Sequence, residues 1–424
     1  MAAKDTFSIQ KQIWNVLGPG LVTGAADDDP SGIATYSQAG AQFGYTLAWT
    51  MFLTLPFMAA IQIISACIGW GTGEGLATNI GKRLPRPVLY FLVALLAAAN
   101  TINIAADLAA MGEALGLVVG GYVFVYAFAF GVVCLLAEIF IPYHRYAAYL
   151  KVSTFVLFAY VVTAFTVSLP WGEVLTSTFI PHLSLDRDML LTVVAVFGTT
   201  ISPYLFFWQA CQEVEESRLS HRHRYRAKTS PKNYFRNISI DTWTGMVFSN
   251  LIAFFIIVTT AATLHTNGIT NIQTASQAAE VLRPLAGNLT FFLFALGIIG
   301  TGLLAVPVLA GSAAYAVAET FGFRGSLELP ASRALGFYAL ISAATLGGAL
   351  LTVTRIDPIT MLFWTAVING IVAVPIMIAM MLVVSNGKRM GTLAIPAWLR
   401  RLGWAATALM GVTVVALTWS SIAG

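Results

Sequence analysis

Three consecutive acids stand before a proline in the first apolar stretch of the chain, Ala26-Asp27-Asp28-Asp29-Pro30-Ser31-Gly32. A second proline, flanked by hydroxyl side chains, interrupts the sixth stretch at Thr199-Thr200-Ile201-Ser202-Pro203-Tyr204. A charge at bilayer depth costs about 2.5–3.5 kcal/mol or more, so acids there mark a functional site. The residue before a proline is pushed out of the helical region, which unwinds the chain at Asp29 and frees carbonyl oxygens, those of Ala26 and Thr199 among them. The Asp29 carboxylate, these carbonyls and the Ser202 hydroxyl form an all-oxygen donor set suited to a hard cation such as Mg²⁺, Ca²⁺ or Mn²⁺. Asp27 and Asp28 point in other directions and fit two readings: an acid that guides cations through a vestibule, or a pair that shares a proton. In the tenth stretch, Asn369-Gly370, followed by Pro375, offers either one amide oxygen from the opposite wall or a helix–helix hydrogen bond. In the third, Asp107 and Glu113 are buried acids, each a proton or ion relay or else paired with a polar neighbour, and Asn103 reads as packing.

The elements that must carry these residues follow from composition. The 424 residues are 58% hydrophobic and 10% charged, with a mean hydropathy of +0.78, which leaves too few polar side chains to cover a soluble globule. Spans of about 20 apolar residues predict an all-α polytopic membrane protein of eleven transmembrane helices. They fall near 14–41, 47–70, 87–117, 122–141, 146–167, 187–216, 240–264, 289–320, 334–352, 357–384 and 405–421. Five spans begin with each broken helix, so the chain reads as one transporter domain: a first repeat at about 14–167, an inverted second at about 187–384, and an extra helix. Paired breaks in corresponding helices of two halves are the mark of a binding site near the bilayer midplane.

All but three of the 23 lysines and arginines fall on one side of these spans if the N-terminus is cytoplasmic, the exceptions being Arg187, Arg283 and Arg355. The positive-inside rule then places the chain in a plasma (inner) membrane with its C-terminus extracytoplasmic. The basic run from Ser217 to Lys228 is read as a loop facing lipid headgroups, with no nucleic-acid partner implied. Gly69-Trp-Gly-Thr-Gly-Glu-Gly75 is read as a loop at the inner mouth, outside the strand–helix setting that dinucleotide binding needs. No phosphate loop or soluble-enzyme constellation is present, so no enzymatic activity and no resident cofactor are expected. Cys67, Cys134 and Cys211 lie in spans and imply no disulfide framework. Outer residues 275–284 read as an amphipathic surface segment or a hinge-linked lid.

Gly18-Pro-Gly20, Asp29-Pro30, Ala34-Thr35 and Gln38-Ala-Gly-Ala-Gln-Phe-Gly-Tyr45 together resemble the opening of the NRAMP divalent-metal transporters, whose signature is Asp-Pro-Gly-Asn. The resemblance extends through Asp107 and the broken sixth span to the tenth. It implies the LeuT-like fold, a 5+5 inverted repeat with broken helices 1 and 6, and a metal held between them. The chain departs from the pattern where it has Gly32 in place of asparagine and Ser202-Pro203-Tyr204 in place of methionine followed by Pro-His. Gln209 and Ala110 replace a histidine and an acid of the family's proton-linked machinery. A hydroxyl in place of a thioether weakens discrimination against hard ions, and the altered set resembles the NRAMP-related magnesium transporters most.

The resulting expectation is a carrier that imports a divalent cation by alternating access, Mg²⁺ first with Mn²⁺ tolerated, with weak or no proton coupling. Asp29, Ala26, Thr199 and Ser202 would hold the metal; Asp28, Asp27, Gly32, Tyr204 and Asn369 are secondary or vestibule positions. Two alternatives stand beside it: a proton-coupled Mn²⁺/Fe²⁺ symporter with the proton on Asp107 or Glu113, and a receptor or scaffold that binds metal without moving it.

Overall fold

The computed structural model describes residues 19–141, 154–184, 186–219, 231–353, 356–385 and 395–423. The first apolar stretch forms two short helices, α1 (Pro19–Asp27) and α2 (Pro30–Phe43), set apart by Asp28 and Asp29. Asp29 is extended (φ −70°, ψ 171°) and its side chain caps α2 by accepting from the Gly32 N–H, while Pro30 occupies the first helical position, where a missing N–H costs nothing. Then come α3 (Trp49–Thr72), the one-turn α4 (Leu76–Gly81), α5 (Arg86–Val119), α6 (Val123–Phe140), α7 (Phe158–Thr166) and α8 (Trp171–Phe179). The second break separates α9 (Arg187–Thr200) from α10 (Pro203–Leu219). The rest is α11 (Pro231–Thr263), the small connecting helices α12 (Ala275–Ala279) and α13 (Arg283–Ala286), α14 (Thr290–Phe321), α15 (Leu335–Leu351), α16 (Pro358–Val384) and α17 (Ala397–Ala423).

Among the described residues, eight helical stretches are long and apolar enough to cross a membrane. The other three expected spans differ for identifiable reasons. The first is divided by Asp29-Pro30, the fifth is described only as the short apolar stretch Phe155–Thr166, and the ninth is the 17-residue α15. Hydropathy also misplaces boundaries where a helix runs beyond its apolar part. Thus α11 begins at Pro231 rather than 240 and α17 at Ala397 rather than 405, and Gly69–Thr72 belongs to α3, which stops only at Gly73 (φ +74°). Most of the basic run 217–228 lies outside the described residues.

Burial sorts the helices into centre and rim. The stretch Arg187–Ser217, carrying the second break, has 94% of its apolar window buried, against 22% for Val123–Phe140 and for Ala397–Ile422. The bulkiest fully buried side chains, among them Trp208, Tyr36, Tyr204, Phe197, Phe206 and Phe207, sit on the two broken helices. Lipid gives apolar helices little reason to associate, so close approach must come from small residues. At Gly198 a Cβ would lie 2.1 Å from the Ala366 carbonyl oxygen and 2.4 Å from the Gly370 nitrogen, so α9 and α16 touch backbone to backbone one residue before Thr199. The core therefore holds both breaks rigidly and away from lipid.

Candidate metal-binding site

The two breaks face each other. A Cβ on Gly32 would stand 3.2 Å from Thr199 Oγ1 and 3.3 Å from the Asp27 carbonyl oxygen, so the first turn of α2 lies against the end of α9. From the start of α10 the Tyr204 hydroxyl reaches back, 3.1 Å from the Ala26 carbonyl oxygen and 3.4 Å from Asp29 Oδ2. One phenolic hydrogen serves one of these acceptors at a time. Both Ala26 and Asp29 are sealed from solvent, at 0% and 2% exposed.

The Asp29 carboxylate is held unevenly. Oδ1 accepts from Ser31 Oγ and from the Gly32 N–H, both at 2.7 Å, the short contacts of charge-assisted bonds. Oδ2 has only the long contacts, Tyr204 at 3.4 Å and Asn103 Nδ2 at 3.3 Å. One oxygen is committed to capping α2 and the other faces inward with its lone pairs lightly used.

Asp27 and Asp28 are buried and share one partner, Ser249 of α11, whose hydroxyl lies 2.8 Å from Asp27 Oδ2 and 3.0 Å from Asp28 Oδ1. A single hydroxyl hydrogen cannot satisfy two carboxylates. Asp27 Oδ1 and Asp28 Oδ2 have no partner at all, and neither has either oxygen of Asp107, within electrostatic range of Asp29 and Tyr204. Four acids are thus buried around the first break without a lysine or arginine bonded to any of them among the described residues, an arrangement that a cation or protons must offset.

The remaining positions divide. From within the second break the Ser202 hydroxyl donates back to carbonyls at the end of α9, Gly198 at 2.9 Å and Thr199 at 2.8 Å, which leaves its oxygen lone pairs free but engages the Thr199 carbonyl. Asn369 is buried beside Gly370, and neither atom of its amide has a partner. Glu113 is set apart from this group, toward the C-terminal end of α5. Its Oε1 accepts from the Ala275 N–H at the start of α12, and Asp357, the cap of α16, is close enough to interact with it. Burial pushes the Asp357 carboxyl above its ordinary range, opposed by the Ile359 N–H that it caps.

Sequence reasoning missed two contributors. Ser249 gave no signal, because serine in a membrane helix is ordinarily a packing residue. Asn103 did: it is four residues before Asp107 and so on the same face of α5. Among the described residues, no group of three or more His, Cys, Asp or Glu is placed to hold a metal, and His265 instead bonds the Ala41 carbonyl just past the C-terminal end of α11. What surrounds Asp29 offers oxygen: carboxylate, carbonyl, hydroxyl and amide.

A buried acid at two facing helix breaks, inside a bundle of apolar helices, is the architecture of a membrane carrier. The chain belongs to the NRAMP family, the natural resistance-associated macrophage protein-like proteins, whose pattern it matches over residues 20–420. Among relatives, it is 28% identical over 403 residues to the divalent metal cation transporter MntH of Klebsiella pneumoniae subsp. pneumoniae, covering 93% of this chain and 91% of that one. It is 30% identical over 302 residues to MntH of Yersinia pestis, covering 69% and 70%. The fold is shared with the Eremococcus coleocola manganese transporter (TM-score 0.77, 14% identity, 97% of this chain and 88% of that one). A more distant likeness is to Mhp1, a nucleobase-cation-symport-1 family transporter, at a TM-score of 0.58 and 14% identity over 96% and 93% of the two chains.

Proposed function

We propose that this protein carries Mn²⁺ across the plasma membrane by alternating access to the site between the two breaks, with movement of a proton coupled to it. Asp29 Oδ2 is the charged ligand, the carbonyls of Ala26 and Thr199 and the Ser202 oxygen complete the shell directly or through water, and Asp28, Asp27 and Asn369 line the approach. The observation that carries this reading is the sealed Asp29 beside Tyr204 and Ala26, where the broken helices meet. Relatives named as divalent metal cation transporters and a fold neighbour named as a manganese transporter favour Mn²⁺ as the cargo. Asp107 suits the proton better than Glu113, because both of its oxygens lack a partner among the described residues and it lies within electrostatic range of Asp29, while Glu113 is set apart with one oxygen engaged by the Ala275 N–H. We read α1–α2, α7 and α15 as the spans that complete eleven, arranged as two inverted halves of five with α17 added, the N-terminus cytoplasmic and the C-terminus outside.

A second reading, Mg²⁺ transport without a proton, rests on one observation: the groups against Asp29 present oxygen and no thioether or imidazole. Mg²⁺ keeps several waters when bound and needs only oxygen partners. Purified protein in liposomes, assayed for Mn²⁺ and Mg²⁺ entry with an internal pH dye, separates the cases. Mn²⁺ entry with matching acidification supports the first reading, and Mg²⁺ entry without acidification supports the second. Binding with no flux of either ion would leave a receptor. Asp29→Ala is expected to abolish entry, and uptake at the parent rate in that variant would remove the site.

A further inference from the structure

Asn103 sits in the middle of α5, 0% exposed, and among the described residues its side chain makes one hydrogen bond, Nδ2 to Asp29 Oδ2 at 3.3 Å, while its Oδ1 meets no partner. A turn earlier, Asn100 does something different. Its amide nitrogen bonds the Leu309 carbonyl at 2.9 Å and Ser312 Oγ at 2.7 Å, stitching α5 to α14, a packing function. Asn103 makes no such link to a neighbouring helix. It addresses the lightly held oxygen of the one carboxylate at the facing breaks.

That position has an electrostatic consequence. A cation docking on Asp29 Oδ2 would confront an N–H₂ group at hydrogen-bond distance from the same oxygen, a donor aimed toward positive charge. Half a turn about the last side-chain bond exchanges Nδ2 for Oδ1 without changing the shape of the side chain, since the two ends of an amide are nearly isosteric. The rotation gives up one long hydrogen bond and sacrifices none at Oδ1, which has nothing to lose. The side chain at position 32 is absent and leaves no room there for an amide, with Thr199 Oγ1, the Asp27 carbonyl and Tyr36 all within 3.3 Å of where a Cβ would stand.

We propose that Asn103 is a ligand of the transported cation, donating to Asp29 when the site is empty and turning its Oδ1 to the metal when the site is filled. This deepens the transport reading above and rests on Asp29 as the charged ligand. It places a neutral oxygen donor on α5, so a metal in transit is touched by a helix outside the broken pair.

The test uses the full chain, purified and reconstituted, with Mn²⁺ and Cd²⁺ measured by calorimetric binding and by uptake. Asn103→Leu keeps size and apolar packing but has no oxygen, and is expected to raise KM for Mn²⁺ about tenfold or more, in the range seen when groups supporting a metal are lost, with kcat changed less. Asn103→Cys is expected to weaken Mn²⁺ and strengthen Cd²⁺, shifting the Cd²⁺-to-Mn²⁺ affinity ratio about tenfold or more, because a sulfur at ligand distance selects the softer ion. A packing role would not move that ratio, and Asn100→Ala, which loosens α5 from α14, should leave it at the parent value. Parent KM in Asn103→Leu, or a parent ratio in Asn103→Cys, overturns the proposal; if the leucine variant fails to fold, the cysteine ratio alone decides. Should Asp29→Ala abolish uptake while both Asn103 variants behave as the parent, the site stands and only this ligand falls. A parent protein that binds no metal would remove both.

Discussion

Tyr204 offers one hydrogen to two acceptors on the opposite break, and the pair it spans, the Ala26 carbonyl and Asp29, are the two groups that a cation would claim. A neutral hydrogen bond contributes about 1 kcal/mol and one to a charged group about 1.5–3 kcal/mol, so Tyr204→Phe is expected to lower Mn²⁺ uptake at limiting metal about tenfold while leaving the fold intact. Initial rates in liposomes and a melting curve on the same preparation check both halves of that statement; a parent rate would mean the hydroxyl is incidental to the site. At this scale the sequence was informative where backbone chemistry is local. Proline pairs marked the breaks, and the acid ahead of Pro30 had to be unwound. It was uninformative about partners hundreds of residues away. Nothing near Ser249 announces that it serves Asp27 and Asp28, and Asn103 was assigned to packing because a lone amide in a helix carries no direction until its neighbours are known.

Between elements, the contact that fixes the second break is the crossing of α9 and α16 at Gly198 and Gly370. A glycine inside a helix is ordinarily about 1 kcal/mol worse than alanine, so Gly198→Ala would stabilise a free helix. Here the added methyl would lie 2.1 Å from the Ala366 carbonyl oxygen. Overpacking costs about 1–3 kcal/mol, and the sign of the change reports which effect wins. Gly198→Ala is expected to lower the melting temperature of the purified protein and to slow uptake, since separating the helices moves Thr199; a raised melting temperature would show that the crossing yields easily. The eight long apolar helices among the described residues, and their order, were readable from apolar runs alone, whereas the first, fifth and ninth expected spans are not of that length. The ends of the long helices were not readable, because α11 and α17 extend as polar turns past the apolar window, and the short connecting helices α12 and α13 are too brief for periodicity to reveal.

For the molecule as a whole, polar contacts cross between helices at both ends of the broken first span. At the C-terminal end of α2, Gln38 accepts from the Ile272 N–H at 2.9 Å, and Glu113 of α5 accepts from the Ala275 N–H at 3.1 Å, so the segment leading into α12 is pinned to α2 and α5. Toward the N-terminal end of the nine-residue α1, the Gly20 N–H donates to Asp241 Oδ2 at 2.7 Å and Thr23 Oγ1 donates to Gln209 Oε1 at 2.5 Å, with Gln209 in turn donating to Glu213 at 3.1 Å. If the proposed site opens by movement of one element, the short α1, bounded by Asp28-Asp29 and tethered to α10 and α11, is the smallest unit whose release would do it. Thr23→Val keeps the shape of the side chain, removes its donor and leaves the buried Gln209 oxygen short of a partner. Losing a bond of about 1 kcal/mol should speed amide exchange across residues 24–28 about fivefold, because these amides exchange through local opening of α1. Exchange at 272–275, at the other end, should stay at the parent rate. If the amides of α1 exchange no faster, α1 is held by packing, and if both ends loosen together, they are one cooperative unit rather than separate gates.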